Sequence, residues 1–442
     1  MKTSGYVRFP QKPEGALRWI LLITLILGLT LSMSPHAPAA PQPPPQASQE
    51  GPEYQLADII TMALERNPRL SVGEGLIAEK TGRLRSSQAY PNPTFSFQSG
   101  RGSVRDPSVG MAITERYVML RQPLEWPGMR AADQQAAREG VTGAEASLET
   151  AKLDLIVDVK KAFYDLLLAQ RRLTLSSENL ATIEQWGQAI ETRVQAGDLP
   201  AIEAVNIALE RQKEEAARTQ AEGDRLAAQT ALDALTAGAL GQAFSVRGEF
   251  PSPSLTLDAQ HLVNEAKRRH PRLIRLRHLV EEGRHLKIRE EQARIPTMTL
   301  EGAYQRDAGR EAVVGSLSLP LPLWDQRQGE IAQAAGSLRQ REALLLGSEQ
   351  EVAKAINQQL QQVKTAIAHI KAYEDGFLRQ AREARRLAEV SFKYGEVSLL
   401  EVLDAHRQYR QALMNYAQTR YELAVALAKL ERLVGQELSE GS

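Results

Sequence analysis

The sequence predicts a mainly α-helical protein with a small β part, in which each chain carries two long helical hairpins and four β-strands. Three observations predict this class: a helix-forming composition, one internal duplication, and two proline-free tracts with a seven-residue apolar period. Charged residues make up 24% of the 442 residues and aromatic residues only 5%, which is typical of long helices. The 54 basic residues balance the 54 acidic residues, so the composition gives no indication of a nucleic-acid partner.

The amino terminus has the pattern of a secretory signal. Basic residues precede an apolar run over residues 19–31, and the small-residue triplet 37–39 follows it. The run is shorter than the roughly 20 residues of a membrane-spanning helix, so a cleaved signal over residues 1–39 is favoured over an uncleaved anchor. We expect an exported chain that begins near Ala40 with a flexible, proline-rich leader over residues 40–55. Because the sequence contains no cysteine, disulfides and a lipid-modified cysteine are excluded.

The chain repeats its own pattern once. The segment around Asn67-Pro68 recurs around His270-Pro271, and the glycines Gly197 and Gly395 occupy corresponding places further along. We therefore predict two structural repeats, over residues 56–250 and 251–442, each with a helix, a β-hairpin and a long helical hairpin. The predicted β-hairpins span residues 93–120 and 297–320, and the predicted long helical hairpins span residues 128–236 and 327–435.

Each proline-free tract has apolar or small residues at every seventh position. In the first tract this series runs from Leu148 to Ile190, and in the second it runs from Ile356 through Phe377 to Ala384. A seven-residue period is the pattern of helices that pack side by side as coiled coils. We therefore expect the long helices to be covered along their length by other helices.

A glycine interrupts each long tract. Gly197 and Gly395 are both followed by a fresh amphipathic pattern, which predicts a tight turn between two antiparallel helices. These two turns are named the first tip and the second tip. A helix from residue 128 to about residue 196, just before the first tip, would be on the order of 100 Å long at 1.5 Å per residue.

The four predicted strands cannot close into a barrel within one chain. They span residues 94–100, 111–120, 297–306 and 311–319, and strands of about ten residues are long enough to cross an outer membrane. A four-stranded sheet leaves two edges that must be paired or covered. Two chains would supply eight strands and three would supply twelve. Only the larger barrel leaves an open bore between long helices, which favours three chains.

Together these motifs resemble the TolC family of outer-membrane efflux proteins over essentially the whole mature chain. The resemblance rests on the duplication, on the motifs QPLEWPG and LPLPLWD that follow the strands, and on the tips VQAGDLPAIEAV and FKYGEVSLLEVLDA. It implies a homotrimer with a 12-stranded β-barrel in the outer membrane and a periplasmic α-helical barrel. It also implies a channel, the exit duct of a tripartite efflux system, through which substrate passes passively to the exterior.

The resemblance also implies partners: a periplasmic adaptor (membrane fusion) protein, an inner-membrane pump of the resistance-nodulation-division type, and outer membrane lipid. The QPLEWPG motif is most similar to the branch that serves heavy-metal pumps, which implies heavy-metal cations as cargo. A duct for drug efflux or type I secretion is the alternative. A periplasmic adaptor would need one helical hairpin between small β modules, and a structural coiled coil would need neither strands nor tips, so both are disfavoured.

Acidic residues beyond the tips are candidates for a pore constriction. Glu401 and Asp404 lie three residues apart, which places both on one helix face. The resemblance implies that this face lies at the periplasmic constriction, where acidic side chains from three chains form rings. Glu203 could contribute from the first tip. The alternative is an ordinary solvated acid cluster, because acidic residues are common on long helices.

The tips themselves are candidates for docking a partner. Backbone at a glycine can be approached closely because no side chain stands in the way. The resemblance implies that the tips meet the hairpin ends of the adaptor. The candidate residues are Gly197, Asp198, Leu199, Gly395, Glu396 and Val397. The alternative is that each glycine simply ends a helix.

We predict neither an enzyme nor a cofactor site. No Ser/His/Asp set, phosphate-binding loop or dinucleotide turn stands in its required context, so no catalytic residue is expected. A metal site is not predicted either. His278 and His285 lie seven residues apart, whereas helical zinc pairs favour spacings of three or four.

Overall fold

The computed structural model describes residues 51–103, 112–252, 258–307, 310–436 and 438, all within the unit Glu50–Ser442. The predicted signal over residues 1–39 and most of the predicted leader lie outside these residues. The helices are α1 (Leu56–Arg66), α2 (Pro68–Gln88), α3 (Pro127–Gln195), α4 (Ala201–Leu235), α5 (Ala259–Arg269), α6 (Pro271–Gln292), α7 (Gln328–Ala372), α8 (Leu378–Lys393) and α9 (Leu399–Val434). The strands are β1 (Glu53–Tyr54), β2 (Thr94–Ser103), β3 (Ala112–Leu124), β4 (Ser245–Val246), β5 (Met298–Asp307) and β6 (Arg310–Ser318).

The end of the predicted flexible leader is ordered. β1 pairs in parallel with β4, and the Tyr54 ring packs edge-on against Phe244 at 6.1 Å between ring centroids. The aromatic contact supplies apolar burial that the proline-rich composition of the leader did not indicate. This short pair ties the beginning of the described chain to the segment between α4 and α5.

Two helix pairs are broken at a proline. Asn67 separates α1 from α2: its side chain accepts the Arg69 N–H at 3.0 Å and donates to the Leu235 carbonyl at 2.9 Å. His270 has the same position between α5 and α6, where Nδ1 accepts the Arg272 N–H at 3.2 Å. A residue before proline disfavours helical backbone, whereas proline itself suits the first turn of a helix. The two repeated segments around Asn67-Pro68 and His270-Pro271 therefore break the chain into separate helices in the same way.

α3 is the longest helix in the described part of the chain, and several other helices pack against it. It runs unbroken for 69 residues, on the order of 100 Å, which confirms the predicted long helix. α2, α4, α6 and α9 all pack against it. Its predicted apolar series is covered, since Leu155, Ala162, Ile183 and Ile190 are buried. None of the helices in the described ranges has both the length and the apolar character needed to cross a membrane.

Two apolar cores lie where the short helices meet the long ones. One core joins α1, α3 and α4 around Phe163 and Leu232, and the other joins α5, α7 and α9 around Ile356 and Leu430. Burying each of these large side chains contributes about 1.5–3 kcal/mol. The cores hold the short helices in place against the long ones.

A π-helical turn at Tyr373–Phe377 separates α7 from α8. The turn holds one residue more than an α-helical turn, so the buried face beyond it shifts by one position in the sequence. Ile356 and Ile370 are buried as expected, but the predicted continuation of their series at Phe377 and Ala384 is exposed. Within one chain, the buried face therefore leaves the predicted seven-residue series after Ile370.

β2, β3, β5 and β6 form one antiparallel sheet in that order. The four predicted strands are thereby confirmed, although β3 continues to Leu124, beyond the predicted end at residue 120. The two hairpins meet where β3 pairs with β5. β2 and β6 are consequently the free edges of the sheet within one chain.

The two faces of this sheet differ in polarity. The strand register places large apolar side chains on one face, and six of them are more than half exposed: Phe95, Phe97, Leu120, Leu300, Val313 and Leu317. The other face carries the ion pair between Arg121 and Glu301, with Nε and Oε2 3.0 Å apart. One chain thus leaves an apolar sheet face uncovered as well as two sheet edges.

Deleting Gly376 should convert the π-helical turn into an ordinary α-helical turn and leave the buried faces of α7 and α8 unchanged. The deletion takes away one residue where the helix holds one extra, and it removes a helical glycine that costs about 1 kcal/mol. We expect the purified protein to keep its helix content and an unfolding temperature equal to or above that of the wild type, measured by circular dichroism.

Deleting Lys364 is the matched control, because Lys364 is exposed on a regular part of α7. This deletion rotates the part of α7 that follows residue 364 by about 100° relative to the part that precedes it. Buried side chains such as Ile370 then leave the core, and we expect the unfolding temperature to fall by about 10 °C. Equal destabilisation by the two deletions would contradict the assigned role of the turn.

Candidate functional site

The first tip ends α3 with a glycine in the left-handed conformation. Gly197 has a φ of +83°, and its N–H donates to the Val194 carbonyl at 3.1 Å. The N–H of Asp198 donates to the Arg193 carbonyl at 2.8 Å. This is the Schellman motif, in which the last carbonyls of a helix are satisfied by the two residues that follow the helix.

The second tip repeats this geometry. Gly395 has a φ of +72°, and the N–H of Glu396 donates to the Ser391 carbonyl at 2.9 Å. A Cβ atom built on Gly197 or on Gly395 would meet nothing within 4 Å. The glycines are therefore required by the backbone conformation and not by crowding within the chain.

An apolar cluster, named the tip cluster, joins the two hairpins just behind the tips. Its buried members come from α3, α4 and α9: Ile183, Ile190, Ile207, Leu399 and Leu403. Leu199 of the first tip and Phe392 at the end of α8 pack against it. Because side chains next to both tips share one cluster, the two tips lie at the same level along the helices.

The six predicted docking residues differ in exposure. Gly197, Asp198, Gly395 and Glu396 are exposed, so both glycines and both acids at the tips are open to solvent. Leu199 and Val397 are half-buried. In the case of Leu199 the cause is packing against the tip cluster, so this residue has a structural role in addition to any contact with a partner.

Glu401 and Asp404 are exposed on one face of α9, opposite the buried Val402 and Leu403. The shared face predicted from their spacing is present. Glu401 also closes a capping box with Ser398: its backbone N–H donates to the Ser398 hydroxyl at 3.4 Å, and its carboxylate accepts the Ser398 N–H at 3.4 Å. The sequence analysis missed this role, although Ser-x-x-Glu at a helix start is its signal.

Asp404 and Glu203 have different surroundings. Asp404 accepts a hydrogen bond from the Gln408 side chain at 2.7 Å, one turn further along α9. Glu203 lies in the first turn of α4 and accepts from the Asn206 side chain at 3.4 Å. Within one chain, Glu203 therefore belongs to the first tip, whereas Glu401 and Asp404 form the pair beyond the second tip.

A buried polar network behind the tips was missed by the sequence analysis. Glu214 of α4, whose side chain is only 3% exposed, forms an ion pair with Arg410 of α9. One turn closer to the tips, the Glu210 carboxylate lies 3.8 Å from Arg407. Glu210 and Glu214 occupy helical positions that face the neighbouring helices. Carboxylates at two inward positions of α4 could have predicted this network, because a buried carboxylate requires a cationic partner.

His406 continues this network into α3. Its Nε2 contacts the Asn179 side chain, and its ring lies 4.9 Å from the Trp186 ring. Burial, together with the nearby guanidinium groups of Arg385 and Arg410, lowers the pKa of His406 to about 4. The histidine is therefore neutral near pH 7 and packs as an uncharged group.

The histidines considered in the sequence analysis have ordinary contacts. Nδ1 of His278 lies 2.7 Å from the carboxylate of Glu139 on α3, and His285 is half-buried further along α6. No group of three or more His, Cys, Asp or Glu side chains within the described ranges could hold a metal ion.

The chain is similar to proteins of known type over most of its length. The family model described as "Outer membrane efflux protein" matches residues 59–238 and 262–436. The cobalt-zinc-cadmium resistance protein CzcC of Cupriavidus metallidurans is 24% identical over 386 residues, which cover 86% of this chain and 90% of that protein. The outer membrane protein TolC of Vibrio cholerae is 22% identical over 415 residues, with the same coverage of 86% and 90%.

Solved structures show the same fold. The crystal structure of CusC superposes with a TM-score of 0.75 at 17% identity, covering 92% of this chain and 100% of that chain. At this identity the likeness concerns the arrangement of helices and strands.

Acid should destabilise the network around His406. The unfolded histidine titrates near pH 6.5 and the native one near pH 4, so the unfolded state binds more protons as the pH falls through this window. At pH 4.5 we expect a loss on the order of 2 kcal/mol from this residue. Thermal unfolding of the wild type and of His406→Gln, followed from pH 7 to pH 4.5, measures the difference.

His369→Gln is the matched control, because His369 is exposed on α7. Carboxylates and His270 also titrate in this range, so the quantity that matters is the difference between variants. His406→Gln should lose less stability on acidification than His369→Gln or the wild type. Parallel curves for all three proteins would mean that His406 does not resist protonation.

Proposed function

Because the chain belongs to the outer membrane efflux protein family and is a protein of the outer membrane, we propose that it is the exit duct of a tripartite efflux system. In this role it conducts substrate passively from an inner-membrane pump of the resistance-nodulation-division type, through a periplasmic adaptor, to the exterior. The observation that carries the proposal is the uncovered four-stranded sheet at the end of very long helices.

The sheet supports a barrel shared between chains. Its apolar face is more than half exposed at Phe95 and Leu317, and lipid would cover this face. Its free edges, β2 and β6, require further strands. Three chains would supply twelve strands, with the Arg121–Glu301 face directed towards an aqueous bore. We therefore propose a homotrimer.

The helices support an extension into the periplasm. α3 is on the order of 100 Å long, whereas a bilayer with its headgroups is about 40–45 Å thick. The helix starts directly after β3 and leads away from the sheet to the first tip. A trimer of such chains would place the tips far from the membrane, where they could meet an adaptor.

Heavy-metal cations are the proposed substrates. Support comes from the CzcC relative, whose name specifies cobalt, zinc and cadmium resistance, and from the QPLEWPG motif. A channel that conducts passively needs no tight metal site, since conduction requires weak binding along the path. A duct for drug efflux is the competing outcome of the test below.

The acidic pair would form the constriction in this assembly. Three copies of Glu401 and Asp404 would place six carboxylates around one opening, and such rings favour cations over anions. The capping box fixes the Glu401 side chain at the start of α9, which supports a defined ring position. Glu203 would lie at the same end of the helices, beside the first tip.

The tips would dock the adaptor. The glycine backbone is exposed at both tips and has open space around it, so the hairpin end of a partner can reach the backbone there. Asp198 and Glu396 add an exposed negative charge to each tip. Leu199 and Val397 would line the edges of the contact.

Cells that lack this chain should retain heavy metals. We expect intracellular Co²⁺, Zn²⁺ and Cd²⁺ to rise several-fold on deletion and to return to normal when the wild type is restored, measured by mass spectrometry of washed cells. Gly197→Trp with Gly395→Trp should fail to restore export, because bulk at the tips blocks docking.

The matched control is Gly197→Ala with Gly395→Ala, which imposes the same backbone strain of about 1–2 kcal/mol without bulk. The alanine variant should restore export, and both variants should reach the membrane in equal amounts. Retention of a dye instead of metals would identify a drug duct. Equal export by the tryptophan and alanine variants would remove the docking proposal.

Glu401→Gln with Asp404→Asn should reduce cation selectivity several-fold in planar-bilayer recordings. Glutamine keeps the capping box intact, so the change removes charge without unfolding the start of α9. The reversal potential in a salt gradient should move towards zero, and block by multivalent cations should weaken.

Glu145→Gln with Glu149→Gln is the matched control, because both residues are exposed on α3 far from the tips. It removes the same charge and should leave selectivity at the wild-type value. If both double variants behave like the wild type, Glu401 and Asp404 are an ordinary solvated acid cluster.

A further inference from the structure

We propose that adjacent copies of this chain join through two uncharged helix seams, one on α4 and one on α8, held in a fixed register counted from the tips. The proposal rests on the trimer proposed above and specifies which surfaces close it. The α4 seam consists of Ile202, Val205, Leu209, Gln212, Ala216 and Thr219. The α8 seam consists of Phe377, Gln380, Ala384, Leu387, Ser391 and Tyr394.

The α4 seam is exposed although it has the pattern of a packed helix face. Its residues recur alternately at three and four positions, which is the spacing of a coiled-coil contact. None carries a charge, all six are exposed, and Ile202, Val205 and Leu209 are each more than half exposed. The face that packs within the chain is different and includes Ile207, Glu210 and Glu214. α4 therefore has two packing faces, and one chain covers only one of them.

The α8 seam has the same character. Five of its six residues are exposed, Ser391 is half-buried, and none is charged. Phe377 and Leu387 are each 52% exposed, and Tyr394 is 79% exposed. Phe377 belongs to this seam only because the π-helical turn turns it away from the buried face. α4 and α8 are rich in Arg, Lys and Glu, so an exposed uncharged seam on each of them indicates a surface that is covered in the assembly.

Within one chain these seams cannot meet. α3 lies between α4 and α9, and α9 lies between α3 and α8, so α4 and α8 are the outer helices of this layer. A contact between unlike surfaces closes into a ring when it is repeated around a rotation axis. The α4 seam of one copy would therefore cover the α8 seam of the next copy.

The spacing of the two seams matches. α4 runs away from the first tip and α8 runs towards the second tip, and the tip cluster sets both tips at one level. Rotation about an axis along the helices keeps this level from copy to copy. Counting from the tips, both seams step by three, four, three, four and three residues. When the seam residues nearest the tips, Ile202 and Tyr394, are set opposite each other, Val205 lies opposite Ser391 and Leu209 lies opposite Leu387.

Charges beside the seams are complementary in the same register. Lys213 lies level with Glu383, Glu215 with Arg379, and Arg218 with Asp375, to within about three residues, or roughly 4.5 Å of helix rise. Such flanking pairs select the partner and its orientation at coiled-coil contacts. A second copy of the chain therefore satisfies the uncharged seams and the flanking charges together.

The wild-type sequence contains no cysteine, so introduced cysteines report this contact directly. Leu209→Cys with Leu387→Cys in the full chain, oxidised with copper phenanthroline in isolated outer membranes, should give mainly covalent trimer on a non-reducing gel. A disulfide needs Cα atoms within about 7 Å, so the product measures the register. Val205→Cys with Ser391→Cys is the second pair and should give the same product.

The controls separate this proposal from the proposed function. Each single-cysteine variant should stay monomeric on the gel, and so should Leu209→Cys with Ala388→Cys, which moves the second cysteine to a neighbouring helix face. Dimers from one single variant would mean that like surfaces meet, and a fast-migrating monomer would mean contact within one chain. Each result would overturn the seams. A conducting trimer, by mass and bilayer recording, without either cross-link overturns the seams alone, whereas a non-conducting monomer overturns the duct itself.

Discussion

The constraint on which the rest of the structure depends is the need to cover the apolar stripe of α3 along its whole length. A helix of 69 residues is far longer than the others, so no single neighbour can cover it. α2 and α6 pack against it on the side of the sheet, and α4 and α9 pack against it towards the tips. The change of partners along α3 requires short helices at one end and returning helices at the other. The breaks at Asn67 and His270 and the turns at Gly197 and Gly395 are the places where the chain makes these changes.

Apolar packing alone would leave the position of one hairpin against the other poorly defined, because similar side chains recur at every turn. The buried carboxylates of Glu210 and Glu214 remove this freedom. Shifting α9 by one turn would separate Glu214 from Arg410 and leave a charge buried without a partner, which costs about 3–5 kcal/mol. His406, held neutral by burial, packs edge-on against Trp186 without adding a further buried charge that would need a partner. The polar network therefore fixes the register that the tip cluster needs.

Much of this fold could be predicted because helix breaks and strand alternation depend on residues close in sequence. Proline at residue 68, glycine at residue 197 and the alternation in β2 each act through their own backbone or immediate neighbours. The π-helical turn could not be predicted in the same way. The extra residue could be accommodated in one π-helical turn at Tyr373–Phe377, or it could rotate the rest of the helix. The packing of α7 and α8 against α9 decides between these outcomes, and that is a tertiary effect.

The candidate site shows the same division. The shared face of Glu401 and Asp404 followed from helical geometry. The capping role of Glu401 was also predictable, because Ser398 precedes it by three residues at the start of the helix. The Glu214–Arg410 pair joins residues almost two hundred positions apart, and no local pattern relates them. Their separate periodicities, a carboxylate at an inward position of α4 and arginines along α9, become informative only when the two helices are known to be neighbours.

The uncovered surfaces of one chain carry two different side-chain patterns, and the patterns distinguish what covers each surface in the proposed assembly. The sheet face presents Phe95, Leu300 and Leu317 on three different strands, and a face of this kind needs only an apolar solvent, because lipid does not require complementary shapes. The α4 and α8 seams are narrow, interrupted by small and neutral polar residues, and bordered by charges of both signs. Lipid could not satisfy such borders, since each charge would lose its hydration. A protein surface with the opposite charges can pair with them, and the chain itself carries such a surface: the borders of the α8 seam complement those of the α4 seam. In the proposed assembly, the side-chain pattern therefore distinguishes the surface that lipid covers from the surface that a neighbouring chain covers.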